Sequence, residues 1–174
     1  DLQANDRLKG LSRDDWLLVH GVHLDEDHGL NGCIVHNPRS NMNNSVGYAA
    51  PHRLGLPIAL GTDGIGAAML EEFRIAYARL REHDVAATPE LPWSWLETGY
   101  RIIPEAVNDR VTWSHGPIDP WRLAFQTNIK PELVEIDGEV VYTEGELTRA
   151  DAMEIRTKAA EQAQRLFAKL ENMV

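Results

Sequence analysis

Leu56-Pro57-Ile58-Ala59-Leu60-Gly61-Thr62-Asp63-Gly64 is the stretch whose reading decides the fold. A short, continuous apolar run of this kind marks a strand buried on both faces, as in a parallel sheet. It ends in small residues that deliver a carboxylate, Asp63, just before a helical pattern begins. In a barrel of parallel strands the strand ends and the loops after them build the active face, so Asp63 stands where chemistry is done. Two earlier runs end alike: Trp16-Leu17-Leu18-Val19 meets His20, and Cys33-Ile34-Val35 meets His36-Asn37-Pro38. Folding alone does not require three successive strands to end in His, His and Asp.

Outward from this core, residues 15–83 read as strand, loop, strand, loop, strand, helix. The helix is expected over residues 67–82, with Leu70, Phe73, Ile75, Tyr77 and Leu80 supplying much of its buried surface. Pro89 and Pro92 bracket a break, and Trp93, Trp95, Leu96 and Tyr100 form a short helix that ends before Pro104. From Val111 the pattern turns to β structure. Leu133-Val134-Glu135-Ile136 and Glu139-Val140-Val141-Tyr142 flank Asp137-Gly138, a strong signal for a tight antiparallel hairpin. A last helix is expected over residues 149–171, with Thr148 as N-cap and Asp151 completing a weak capping box. The domains this implies are residues 1–110, 111–147 and the terminal helix 148–174.

The chain has 174 residues, 43% of them apolar, and a formal net charge of -10. It can bury a real core. Its charge repels nucleic acid and anionic membrane surfaces, which leaves small neutral or cationic molecules as partners. Cys33 is the only cysteine, so no internal disulfide forms, and a buried thiol in a reducing, cytoplasmic compartment is expected. No apolar run approaches the roughly 20 residues that span a bilayer. The start at Asp1, without Met, looks processed or excerpted from something longer.

Leu18-Val19-His20-Gly21-Val22-His23-Leu24, then His36-Asn37-Pro38-Arg39-Ser40-Asn41, then Gly61-Thr62-Asp63-Gly64, in this order and spacing, resembles the amidohydrolase superfamily, nearest its chlorohydrolase and aminohydrolase (deaminase) branch. Asn41-Met42-Asn43-Asn44 and Met69-Leu70-Glu71-Glu72 look most like uncharacterised aminohydrolases of that branch linked to selenium metabolism. The likeness covers residues 15–83 and resumes from Asp119-Pro120-Trp121 through Glu144. Residues 84–118 depart from it. It implies an α/β chain: the C-terminal part of a (β/α)8 TIM-like barrel, strands six to eight, with part of a small β-sandwich domain and a terminal helix.

The resemblance also assigns roles. Asp63 matches the family's metal-binding aspartate, which accepts a proton from the attacking water and passes it to the leaving group. His20 matches the histidine that hydrogen-bonds that water or the substrate, and which family members do not use as a ligand in mononuclear sites. His36, Asn37, Ser40 and Asn41 match a strand end and loop that contact substrate. The implied reaction removes an amino group, or chloride, from a small heterocycle, with zinc or iron in the parent protein. The family's other ligands, a His-Xaa-His pair and a later histidine, and its acid/base glutamate, have no counterpart here, so this chain alone is expected to be catalytically incomplete and to bind metal weakly or not at all. It is expected to associate, as a homo-oligomer or with a missing N-terminal half.

Plainer readings exist for each residue. Asp63 in Thr-Asp-Gly suits a turn or an N-cap, and His20 suits a hydrogen-bonded core position. His23 and His28, beside Asp25-Glu26-Asp27, read as solvated side chains, and the tryptophans as packing. Glu71 and Glu72 favour the positive end of a helix dipole. On these readings the chain is a non-catalytic scaffold or binding module.

Overall fold

The computed structural model describes residues 2–173. Helix α1 (Leu2–Lys9) precedes strand β1 (Leu17–Val19), β2 (Cys33–His36), α2 (Pro38–Asn43), β3 (Ile58–Leu60), α3 (Met69–His83) and α4 (Glu90–Ile102). Then come β4 (Arg110–Trp113), α5 (Pro120–Phe125), β5 (Pro131–Ile136), β6 (Glu139–Thr143), β7 (Glu146–Leu147) and α6 (Ala152–Glu171). They fall into two contact units that interleave along the chain. Residues up to Glu105 group with Ile118–Thr127, and Ala106–Pro117 with the residues from Asn128 onward.

In the first unit β1, β2 and β3 form a parallel sheet in sequence order, with Leu18 opposite Ile34 and Ile34 opposite Ile58. All three strands run the same way, so His20, His36 and the turn carrying Asp63 emerge at one end of the sheet. The central residues are buried because helices cover the sheet: Ile34, Phe73, Ala76, Leu80 and Leu123 have no measurable exposure, and Trp95 has 2%. Of the apolar positions expected to bury α3, Phe73 and Leu80 are buried, while Leu70, Ile75 and Tyr77 are half-buried. Its buried stripe also includes Glu72, at i−4 from Ala76 and i−8 from Leu80.

Pro89 and Pro92 start α4 rather than interrupt a pattern. A proline in the first helical turn loses no bond, because those N–H groups have no partner inside the helix. The helix is therefore longer than the sequence suggests. Three helices were not foreseen, α1 (Leu2–Lys9) being the first. α2 occupies what reads as loop after Pro38. α5 replaces the expected run from Asp119 into β structure, because Asp119 accepts bonds from the backbone N–H groups of Trp121 and Arg122 and Pro120 fits the first turn. Arg74 of α3 then donates to the carbonyls of Leu123 and Gln126, holding α5 against it.

In the second unit β4, β5, β6 and β7 pair antiparallel in that order. The hairpin at Asp137-Gly138 is as expected: both residues have positive φ, 49° and 80°, the conformation a two-residue turn of this hand needs. The N-cap of α6 is Asp151, which accepts from the N–H groups of Met153 and Glu154, and not Thr148. The Thr148 hydroxyl donates instead to the Val140 carbonyl and its N–H to the Val141 carbonyl, so Thr148 stays with the sheet. No helix among the described residues is long and apolar enough to cross a membrane.

Candidate active site

Asp63 lies in a 3-10 turn after β3, with φ of 52°. Its Oδ1 accepts the Gly64 N–H at 2.8 Å, which is the turn role the plain reading assigns it. Its Oδ2 does something else. It accepts the Ser40 hydroxyl at 2.6 Å and lies 3.7 Å from His20 Nε2. The Ser40 bond first, and the Gly64 bond second, hold its carboxyl below the usual range, so it is anionic at neutral pH.

His20 terminates β1 with φ of 70°, while the Gly21 N–H bonds back to the Val19 carbonyl at 3.0 Å. The chain therefore turns sharply at His20 and lifts the imidazole off the sheet edge. Its Nδ1 lies 2.9 Å from Asn41 Oδ1. Seven non-glycine residues among those described have positive φ, and the two site groups His20 and Asp63 are among them. A left-handed backbone costs an ordinary residue about 1–2 kcal/mol, so surrounding bonds must impose it.

Ser40 and Asn41 sit side by side on α2, 1% and 2% exposed. One serves Asp63 and the other His20. Asn44, four residues after Ser40, donates to its Oγ at 3.2 Å. α2 is itself clamped to α3: buried Glu72 accepts from Arg39 Nε at 2.7 Å and from the Arg39 backbone N–H at 3.3 Å. Sequence reading missed this clamp. Its signal was Glu72, a carboxylate on the buried stripe of α3, which needs a buried partner.

His36 and Asn37 are placed differently. Asn37 is 2% exposed, donates to the Val35 carbonyl, and packs so close to β3 that a Cβ on Gly61 would lie 2.3 Å from its Oδ1. His36 is 1% exposed between Tyr48 and Trp95, whose rings meet it edge-on at centroid distances of 6.1 and 5.9 Å. It makes no hydrogen bond to Asp63, His20, Ser40 or Asn41. Direct substrate contact by His36 would require Tyr48 and Trp95 to move. Burial, helped by the charges of His20 and Arg79, pushes its ring down to about 4, so it is neutral.

The sign of that shift gives a pH dependence. The unfolded chain binds the proton near pH 6.5 and the folded chain only near 4, so stability falls as pH drops through this window. We expect a loss of about 2 kcal/mol between pH 7 and pH 5 from this group. Urea unfolding of the wild type and of His36→Asn at both pH values checks it; an equal loss in both would show that His36 is not responsible.

His28 is not solvated, contrary to the sequence expectation. It is 5% exposed, accepts the Leu30 N–H on Nδ1 and bonds the Leu54 carbonyl through Nε2, both at 2.9 Å. It pins the β1–β2 connection to the turn before β3. His23 is exposed as expected. Cys33 is buried and free, and burial pushes its thiol up.

Beside His20 opens a cleft of about 580 Å³ whose walls include Leu17, Val19, Val22, Leu24 and Asn41. Leu17 and Val19 are 51% and 54% exposed. The Cys33 N–H bonds the Trp16 carbonyl and the His20 N–H the Val35 carbonyl. The alternation of a parallel ladder therefore turns the backbone groups of Leu17 and Val19 to the outer edge of β1.

The metal expected from the resemblance meets too few donors. His20 Nε2 and Asp63 Oδ2 face each other, but no group of three or more His, Cys, Asp or Glu side chains able to hold an ion occurs among the described residues. A stable zinc site takes three or four protein ligands, so these residues do not by themselves fit one.

No family model matches the chain. It is 31% identical over 107 residues to a 5-methylthioadenosine/S-adenosylhomocysteine deaminase of Shouchella clausii, a match covering 55% of this chain and 24% of that protein. It is 29% identical to a 5'-deoxyadenosine deaminase of Methanopyrus kandleri, covering 90% of this chain and 44% of that one. An adenosine deaminase from Xanthomonas campestris, solved with bound zinc, superposes with a TM-score of 0.66 over 96% of this chain and 46% of its own, at 22% identity. The chain spans less than half the length of each. It is a distant relative of the amidohydrolase deaminases over part of their length.

Proposed function

We propose that this chain carries the carboxylate and imidazole portion of the active site of a hydrolytic deaminase, whose substrate class is the 6-aminopurine nucleosides. The observation that carries this reading is the meeting of His20, Asp63, Ser40 and Asn41 at one end of a parallel sheet, in a chain related to three deaminases. Replacement of the amino group by water at an aromatic carbon needs an acceptor for the water's proton and a donor for the departing ammonia. Asp63 suits both steps: its Oδ2 lies 3.7 Å from His20 Nε2 on a side chain that is 42% exposed, and Ser40 and Gly64 keep it anionic and fixed. His20 orients the water. Chloride as the leaving group would use the same acceptor.

A divalent zinc or iron ion would need donors from outside this chain, and no step above depends on one. The outer edge of β1, with its exposed Leu17 and Val19, is where such a partner segment, or a second copy of the chain, would pair. Gel filtration of the isolated chain is expected to show association. A monodisperse monomer with a cooperative melt would overturn the partner reading. The function is tested by ammonia release from adenosine, 5'-deoxyadenosine and 5-methylthioadenosine, in a protein that includes the remaining length of its relatives. No release from any of the three would refute it.

The second reading, a scaffold that lacks a metal site, is favoured by the shortage of ligand groups among the described residues. Metal analysis of the active-length protein separates the two: about one tightly held ion per protein supports the enzyme, and none supports the scaffold.

A further inference from the structure

We infer that Asn41 is a positioning residue that sets the tautomer of His20, making the imidazole a hydrogen-bond acceptor on the side facing Asp63. The inference rests on the functional reading above for its consequence, but not for its geometry.

A neutral imidazole carries one proton, on either nitrogen, and the hydrogen bond made by one nitrogen decides the state of the other. His20 Nδ1 lies 2.9 Å from Asn41 Oδ1, an atom that can only accept, so Nδ1 carries the proton. Nε2 then presents a lone pair, 3.7 Å from Asp63 Oδ2. Asp63 accepts on that oxygen as well, since Ser40 donates to it. Two acceptors at this separation repel each other unless a molecule with two donor hydrogens lies between them. Water is such a molecule: one O–H to Nε2 and one to Oδ2 would leave its own lone pairs turned away from the protein, toward substrate. The opposite tautomer would place an N–H against the carboxylate, close the gap with a direct bond and occupy the acceptor the water needs. Asn41 therefore decides whether this pair holds water or holds itself.

The amide is well placed for the task. Asn41 is 2% exposed, on α2 next to Ser40, and α2 is held to α3 by the Arg39–Glu72 pair. The clamp fixes the helix that carries the amide; the amide's own Nδ2 is buried without a hydrogen-bond partner.

The test reads the proton directly. In the chain labelled with nitrogen-15 at histidine, long-range proton–nitrogen correlation at pH 8 separates protonated from unprotonated ring nitrogens, and His20→Gln identifies the His20 signals. The wild type is expected to carry the proton on Nδ1. Asn41→Asp, which keeps an acceptor, is expected to retain it there, and Asn41→Leu to move the major population to Nε2. A wild-type His20 protonated on Nε2, or an Asn41→Leu protein with unchanged tautomer, would overturn the inference. If Asn41→Leu does not fold, the wild-type tautomer decides. Since no turnover enters the measurement, failure here is distinct from failure of the deaminase reading.

Discussion

Asp63→Asn is expected to lower turnover of the active-length protein by at least about a thousandfold, roughly 4 kcal/mol of transition-state stabilisation, with little change in folding. The substitution keeps the shape of the side chain. It removes the charge and leaves a single acceptor oxygen where the carboxylate uses two, one for Gly64 and one for Ser40. Above all it removes the group that, on the proposed function, takes up the water's proton. Folding is spared because the Asp63 side chain is 42% exposed and asparagine tolerates its positive φ. Steady-state ammonia release and a urea melt, run on the same preparation, check both halves. Unchanged turnover would refute the catalytic role outright. A large fall in stability would return Asp63 to the plain turn reading.

The second large effect is structural. Arg39→Met is expected to destabilise the first unit by about 3 kcal/mol, because it leaves the buried Glu72 carboxylate with only the Arg39 backbone N–H. Breaking a wholly buried pair costs about 3–5 kcal/mol; Arg39 is 35% exposed, so water relieves part of this and the lower value applies. The double variant Arg39→Met with Glu72→Leu should recover at least half of the loss, since an apolar pair needs no partner charge. Urea unfolding of the two variants supplies both numbers. Equal stability of Arg39→Met and wild type would show that water reaches Glu72 and that α2 is held by other contacts. If the clamp acts as described, Arg39→Met also loosens Ser40 and Asn41 together, and activity falls even at temperatures where the variant stays folded.

These two residues mark what could and could not be read from sequence. Asp63, His20 and the parallel strands that carry them were legible because each is local: an apolar run followed by a turn residue. The hairpin at Asp137-Gly138 was legible for the same reason. α2 was not, because Pro38 reads as a turn former unless one knows that a helix begins there. α5 was hidden by a resemblance that continued the chain directly into β structure, although Asp119-Pro120 is a helix-start signal in its own right. His28 failed for a different reason: its partner, the Leu54 carbonyl, lies 26 residues away, and the acidic residues beside it suggested solvent. The pairing of Ser40 with Asp63 across 23 positions belongs to the same class. Long-range satisfaction of a polar group leaves no local trace except, as with Glu72, a polar residue in an apolar period.

The left-handed backbone at His20 and Asp63 narrows what can replace them. Glycine, asparagine, aspartate and histidine tolerate that conformation; β-branched and bulky residues do not. Genetic drift at these two sites is therefore channelled. If the proposed chemistry were lost, Gly or Asn could stand at either position with the sheet kept intact.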